Sequence, residues 1–141
     1  NSAYRNLINE QDVVDGLKEK NFRVVDLNNV SILEQIELFT NAETIVSPSG
    51  SSLTNIVFCD EGTNIIEITP KYNFDYENNL KNRYSSICKV LNLNYTSISA
   101  DPIAIKNVKD NKKKFISPQI FNQSNYYKNL LVRLEALKII N

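Results

Sequence analysis

The sequence contains no histidine, methionine or tryptophan, and only three glycines, four prolines and two cysteines. Without histidine, neither a Ser-His-Asp nor a Cys-His catalytic group can be assembled from this chain. With no close cysteine pair either, a zinc site has no ligand set. Three glycines cannot supply the glycine-rich fingerprint of a dinucleotide fold, which sets aside an epimerase-type enzyme. No apolar run approaches the roughly 18 residues of a membrane-spanning helix. The first residues show no basic-then-apolar pattern of a signal peptide, and no Asp-x-Asp metal-nucleotide motif occurs. Asp75-Tyr76-Glu77 is the nearest approach and reads as helix-start chemistry. Net charge is also missing: 16 Lys and Arg balance 16 Asp and Glu, so no overall field recruits nucleic acid or an anionic membrane. The absence of a start methionine reads as a fragment or a processed chain.

What is present suits one soluble domain spanning residues 1–141, with 42% hydrophobic and 23% charged residues. Cys59 follows the apolar run Ile56-Val57-Phe58, and Cys88 falls in a helical apolar stripe. Both read as small buried hydrophobes, and their spacing asks for no disulfide.

Helical and strand periods alternate along the chain. Residues 9–20 read as a helix with Val13, Val14 and Leu17 inward and Asn9 as its cap. Residues 22–27 read as a strand. Residues 31–41 read as a second helix opened by a Ser31–Glu34 capping box, with Ile32, Ile36 and Phe39 inward. Residues 44–47 form a short strand, residues 52–58 a short helix, and residues 64–69 the clearest strand, stopped by Pro70. A long helix over 76–91 places Leu80, Tyr84, Ile87, Cys88 and Leu91 on one side. Residues 94–99 are a further strand, and 125–140 a last helix with Tyr127, Leu130, Leu131, Leu134 and Leu137 inward. The alternation predicts an α/β fold: a three-layer, Rossmann-like parallel sheet with helices on both faces. A doubly wound sheet usually opens with a strand, so a first strand is expected upstream.

Ligands of open α/β sheets bind beyond the carboxyl ends of the strands. The segment Ser47-Pro-Ser-Gly-Ser-Ser-Leu-Thr-Asn55 ends a strand and opens a helix. Its hydroxyls at Ser49, Ser51 and Ser52, the small Gly50 and the free amides of a helix start can together hold a diphosphate without a P-loop lysine. The bland alternative is a serine-rich turn with an N-cap. Glu67, a carboxylate inside an apolar strand, is costly unless partnered. It can accept from a sugar or ribose hydroxyl, or it lies on an exposed edge strand in water. Arg5 can grip a phosphate in a bidentate fork, or be a surface arginine. Asn9 and Glu10 can be cap and dipole partner only, and Gln35 a plain surface amide. The run Lys112-Lys113-Lys114, close to Asp110 and without interleaved aromatics, reads as a solvated loop.

Taken together, these segments resemble glycosyltransferase family 61. Tyr4-Arg5-Asn6-Leu7-Ile8-Asn9-Glu10 resembles its Arg-x-x-x-Asn-Glu element. Phe22-Arg-Val-Val25, Ser31-Ile-Leu-Glu-Gln-Ile-Glu-Leu-Phe39, the stretch Ala42 to Phe58, and Gly62-Thr-Asn-Ile-Ile-Glu-Ile-Thr-Pro70 continue the likeness in the same order. The resemblance implies the C-terminal, donor-binding half of a GT-B enzyme that inverts the anomeric centre without a metal or cofactor. Its substrate would be a nucleotide sugar, usually UDP-linked. Arg5 would contact the phosphates, with Asn9 and Glu10 beside it. The turn Ser49-Gly50-Ser51-Ser52 would cradle the diphosphate, and Asn55 and Glu67 would shape the nucleotide or sugar pocket. The glycan or lipid-linked acceptor, in capsule or lipopolysaccharide synthesis, would sit on a separate N-terminal domain, and the enzyme would work at the cytoplasmic face of a bacterial inner membrane. The chain departs from the family pattern at Ser49-Gly50-Ser51, where the family carries His-Gly-Ala. Serine can donate to a phosphate as histidine does, but cannot carry charge near the leaving group. A degenerate, non-catalytic α/β interaction domain is the alternative that this departure suggests.

Overall fold

The structure, a computed structural model, describes residues 6–7, 9–70, 77–102 and 129–131. Strand β1 (Asn6–Leu7) leads into helix α1 (Glu10–Lys18), a 3-10 turn (Leu27–Asn29) and helix α2 (Ile32–Thr40). Strand β2 (Thr44–Pro48), a 3-10 helix (Ser51–Phe58), strand β3 (Asn64–Pro70), helix α3 (Glu77–Val90), strand β4 (Asn94–Pro102) and strand β5 (Asn129–Leu131) follow. The sheet order is β1-β5-β4-β3-β2. Strands β2, β3 and β4 are parallel, β4 and β5 antiparallel, and β5 and β1 parallel.

The central strands show why the architecture has three layers. Residues Ile65, Ile66, Glu67, Ile68 and Thr69 of β3 are all buried. A strand with no exposed side needs cover on both faces. Ile66 and Ile68, with Ile98 and Ala100 of β4, pack against Val13 and Leu17 of α1. Ile65, with Ile45 and Tyr95, packs on the opposite face against Phe39 of α2, Leu53 and Ile56 of the 3-10 helix, and Tyr84 and Cys88 of α3. The mixed α/β, Rossmann-like layout expected from the alternation is therefore present. Complete burial of Leu53, Ile56, Ile65 and Ile68 contributes about 1.5–3 kcal/mol each.

Local chemistry sets the element ends. Ser31 Oγ accepts from the Glu34 amide at 3.3 Å while Glu34 Oε2 accepts from the Ser31 amide at 2.7 Å, the expected capping box. Those bonds from Ser31 lower the Glu34 pKa. Asn21 and Asn92 adopt left-handed backbones, with φ of 64° and 55°. They end α1 and α3 with back-bonds from Phe22 to the Leu17 carbonyl and from Leu93 to the Cys88 carbonyl. Asn9 does not cap α1 through its side chain: its carbonyl accepts the Val13 amide at 3.1 Å.

Four readings of the sequence need correction. Residues 22–26 form no strand among the described residues. Alternation gives strand propensity, but a strand needs a ladder partner, and the Asp26 carboxylate instead binds the Asn28 amide and both Asn28 and Asn29 side chains, turning the chain into the 3-10 turn. Residues 129–131, expected in a helix, are strand β5, antiparallel to β4. An apolar pair such as Leu130-Leu131 fits either period, so pairing decides. Ile32 is 74% exposed, because the first turn of α2 overhangs the core that Phe39 reaches. The sheet is parallel only in its core, because β1 and β5 run opposite to β2–β4. Leu80, Tyr127, Leu134, Leu137, the 112–114 lysine run and Asp75-Tyr76 lie outside the residues whose side chains are described.

The amino end of the parallel sheet is tied by a polar ladder. Asn64 Nδ2 donates to Thr44 Oγ1 at 3.3 Å, and Asn94 Nδ2 donates to Asn64 Oδ1 at 3.1 Å. Just before it, Gly62 adopts φ of +86°, and its amide reaches the Asn92 carbonyl at 2.9 Å. A Cβ there would touch nothing within 4 Å, so the cost of a side chain is purely one of backbone. Gly62→Ala is expected to destabilise the fold by about 1–2 kcal/mol, measured by urea unfolding. Gly16→Ala, within α1, should instead stabilise or be neutral.

Candidate functional site

The carboxyl end of β2 carries the serine loop. The ladder continues past Pro48, since the Ser49 amide donates to the Ile68 carbonyl at 2.8 Å. Ser47 Oγ donates to the Pro48 carbonyl at 3.0 Å. Gly50 is fully extended, with φ 178° and ψ 175°, and the 3-10 helix starts at Ser51. A Cβ on Gly50 would lie 3.7 Å from its nearest neighbour, the Pro48 carbonyl oxygen, which is ordinary contact. The Gly50 carbonyl accepts two bonds, from the Leu53 amide at 3.1 Å and from the Tyr84 hydroxyl at 2.5 Å. Ser49 and Gly50 are half-buried, whereas Ser51 and Ser52 are exposed. The first amides of a helix have no partner within it, so the loop presents donors at its open end.

Asn55 is half-buried and its Nδ2 donates to Gln35 Oε1 at 2.8 Å. Gln35 Nε2 in turn donates to the Leu27 and Val30 carbonyls at 3.0 and 3.2 Å. Gln35 is therefore no surface amide: it bridges α2, the 3-10 turn and the 3-10 helix below the serine loop. Thr40 Oγ1 adds a second tie, donating to the Phe58 carbonyl at 3.1 Å.

Glu67 is 1% exposed and stands midway along β3, inside the sheet and not at an exposed edge or at the strand's end. Strand alternation puts it on the Ile65 side, below α2, α3 and the 3-10 helix. Its Oε2 accepts the Tyr95 hydroxyl at 2.6 Å. Among the described residues no buried side-chain nitrogen or oxygen lacks a hydrogen-bond partner. Burial, then the bond to Glu67 and its charge, push the Tyr95 pKa well above 10. Burial likewise raises both thiols, with Cys59 pushed up to about 11. Both cysteines are free and inert by that criterion.

The structure thus brings together Ser49, Gly50, Ser51, Ser52, Asn55 and Glu67 on one layer of the sheet. Asn9 and Glu10 begin α1, which covers the other face. Register places Leu7 level with Leu130 and Pro102, at the carboxyl end of β4, so α1 starts at the same end of the sheet as the serine loop. Strands β1 and β2 are the outermost of the sheet, but α1 packs back over β3 and β4, and β3 adjoins β2, the strand that carries the serine loop. Arg5 lies outside the described residues. Among the described residues no three His, Cys, Asp or Glu side chains gather to hold a metal ion, and no helix is long and apolar enough to cross a membrane.

Tyr84 and Tyr95 carry contacts that a reading by hydropathy misses. The available signal was their identity: a tyrosine where phenylalanine would fill the same core implies a partner for the hydroxyl. Tyr95→Phe is expected to cost about 1–3 kcal/mol, since it takes a donor from a buried carboxylate. Between pH 10 and the raised folded value, the unfolded chain loses the tyrosine proton while the folded chain keeps it. Stability therefore falls as pH rises through that window, and the Tyr95→Phe variant loses this part of the decline. Urea unfolding at pH 8, 10 and 11 measures it.

Comparison with known proteins bears on what this arrangement is for. Residues 1–66, a little under half of the chain, match the family model described as Glycosyltransferase 61. No curated protein is matched by the chain. The matched residues build α1, α2, β2, the serine loop and the first half of β3. The match supports a glycosyltransferase role for the chain.

Proposed function

We propose that residues 1–141 are a single donor-binding domain, the C-terminal half of a GT-B enzyme, and that it holds a UDP-linked sugar. The observation that carries this reading is the serine loop: the exposed Ser51 and Ser52 stand at the carboxyl end of a parallel strand and at a helix start, inside the family-matched segment. A helix start stabilises a diphosphate through aimed amides and its dipole. In a transfer that inverts the anomeric carbon, the acceptor hydroxyl attacks, the bond to the diphosphate breaks, and the leaving oxygens gather charge. The Ser51 and Ser52 amides and hydroxyls would take up that charge, with Arg5 as its cation. Glu67, held by Tyr95, would border the nucleotide or sugar from below. The acceptor, a capsule or lipopolysaccharide glycan, would sit on a separate N-terminal domain, the general base would come from that domain or from an acceptor-facing loop, and no metal or cofactor is needed for these roles. The place of action would be the cytoplasmic face of a bacterial inner membrane.

A second reading is favoured by one observation. Ser49 and Ser51 stand where the resemblance expects histidine and alanine, so the loop has no side chain that can carry charge at neutral pH. A non-catalytic interaction domain descended from such an enzyme would retain the fold and lose the chemistry.

Titration of the chain with UDP, GDP, ADP and CMP, followed by calorimetry or amide chemical shifts, separates the two. The donor-domain reading expects weak but UDP-selective binding, reduced at least roughly tenfold in Arg5→Ala, the loss of a charge-assisted phosphate contact. Equal indifference to all four nucleotides supports the interaction domain instead.

A further inference from the structure

The serine loop is held from behind by a residue outside the family-matched segment. Tyr84, on α3, is 3% exposed and belongs to the same core cluster as Leu53 and Ile56. Its ring is flanked by the Arg83 guanidinium, 6.0 Å from the ring centre. Its hydroxyl donates to the Gly50 carbonyl, which also accepts the Leu53 amide. Both donors come from the interior, because Leu53 is fully buried and Tyr84 nearly so. The peptide joining Gly50 to Ser51 is trans, as none of the described peptide bonds is cis. In a trans peptide the carbonyl and the following N–H point in opposite directions. A Gly50 carbonyl fixed inward therefore fixes the Ser51 N–H outward, at the open end of the loop.

One bond would hold this peptide weakly. The first turn of a 3-10 helix has poor hydrogen-bond geometry and readily frays. Gly50 is also the residue with the greatest backbone freedom in the loop, and nothing within 3.7 Å of its Cβ position restrains it sterically. The second bond, from the core residue Tyr84, removes the freedom to rotate the Gly50–Ser51 peptide.

We infer that Tyr84 is a positioning residue of the serine loop: its hydroxyl anchors the Gly50 carbonyl, so that the Ser51 amide is preset to donate to the diphosphate of the bound nucleotide. The inference rests on the donor-domain reading. Tyr84 itself touches no ligand, and its contribution is preorganisation, which removes an ordering cost otherwise met at binding.

The test compares the 141-residue chain with Tyr84→Phe and Thr63→Val. The phenylalanine keeps the ring in the core and removes only the hydroxyl. Thr63 Oγ1 donates to the Asp60 and Ala42 carbonyls at the amino end of β3, so its variant loses part-buried hydrogen bonds at the other end of the sheet from the loop. UDP is titrated while amide shifts and amide exchange are followed by NMR. In the wild type, UDP is expected to move the Ser51 amide. In Tyr84→Phe, UDP affinity should fall roughly three- to tenfold, the Ser51 shift should shrink, and the Leu53 amide should exchange faster without ligand. Thr63→Val should bind UDP as the wild type does. Unchanged UDP affinity in Tyr84→Phe overturns the inference and leaves the donor-domain reading standing. Equal weakening in both variants also overturns it, since general loss of stability then accounts for the effect. A wild type that binds no UDP, with the Ser51 amide unmoved, overturns the donor-domain reading and the inference with it.

Discussion

Strand β3 has no exposed side from Ile65 to Thr69, and the rest of the molecule is arranged to satisfy that burial. Neighbouring strands β2 and β4 take up its backbone groups in parallel register. Helix α1 covers one face, while α2, the 3-10 helix and α3 cover the other. Within this strand Glu67 is the anomaly. A carboxylate in such a place is tolerated only with a strong donor, and the Tyr95 hydroxyl at 2.6 Å is that donor. The pair couples the middle strand to β4 through side chains as well as through the ladder.

The two ends of the parallel sheet are treated differently. At the amino end, Thr44, Asn64 and Asn94 are register partners whose side chains bond to one another across three strands. Their polar groups are consumed in holding the sheet together. At the carboxyl end, β2 runs into Ser49-Gly50-Ser51-Ser52, whose outer serines are exposed. The interior of the loop is fixed by Ile68, Leu53 and Tyr84, and its exterior is left to solvent. This division is what makes a recognition role at that end physically sensible.

The sequence made visible those features whose partners are close in the chain or whose pattern is long. Ser31 and Glu34 are three apart, and both halves of their capping box could be read directly. The apolar run of β3 and the helical stripes of α1 and α3 announced their burial. The ties that build the site were hidden because they join distant positions. Asn55 and Gln35 are 20 apart, Tyr95 and Glu67 are 28 apart, and Tyr84 and Gly50 are 34 apart. Residues 22–26 have a strand's alternation without a strand's partner, and Leu130-Leu131 acquired a partner that no periodicity forecast. Glu67 could be singled out as costly, but whether the cost was met by water or by a phenol depended on the place of β3 in the sheet.

The two glycines at the ends of this layer have unequal standing. Gly62 holds a backbone that side chains resist, whereas Gly50, in the loop that faces outward, is extended and has room for a methyl group. The immovable position thus lies at the amino end of the sheet, and the position beside the exposed serines is structurally permissive. Chemical variety can accumulate in the loop without unsettling the architecture beneath it, which makes this short segment the natural place for selectivity to drift while the fold stays the same.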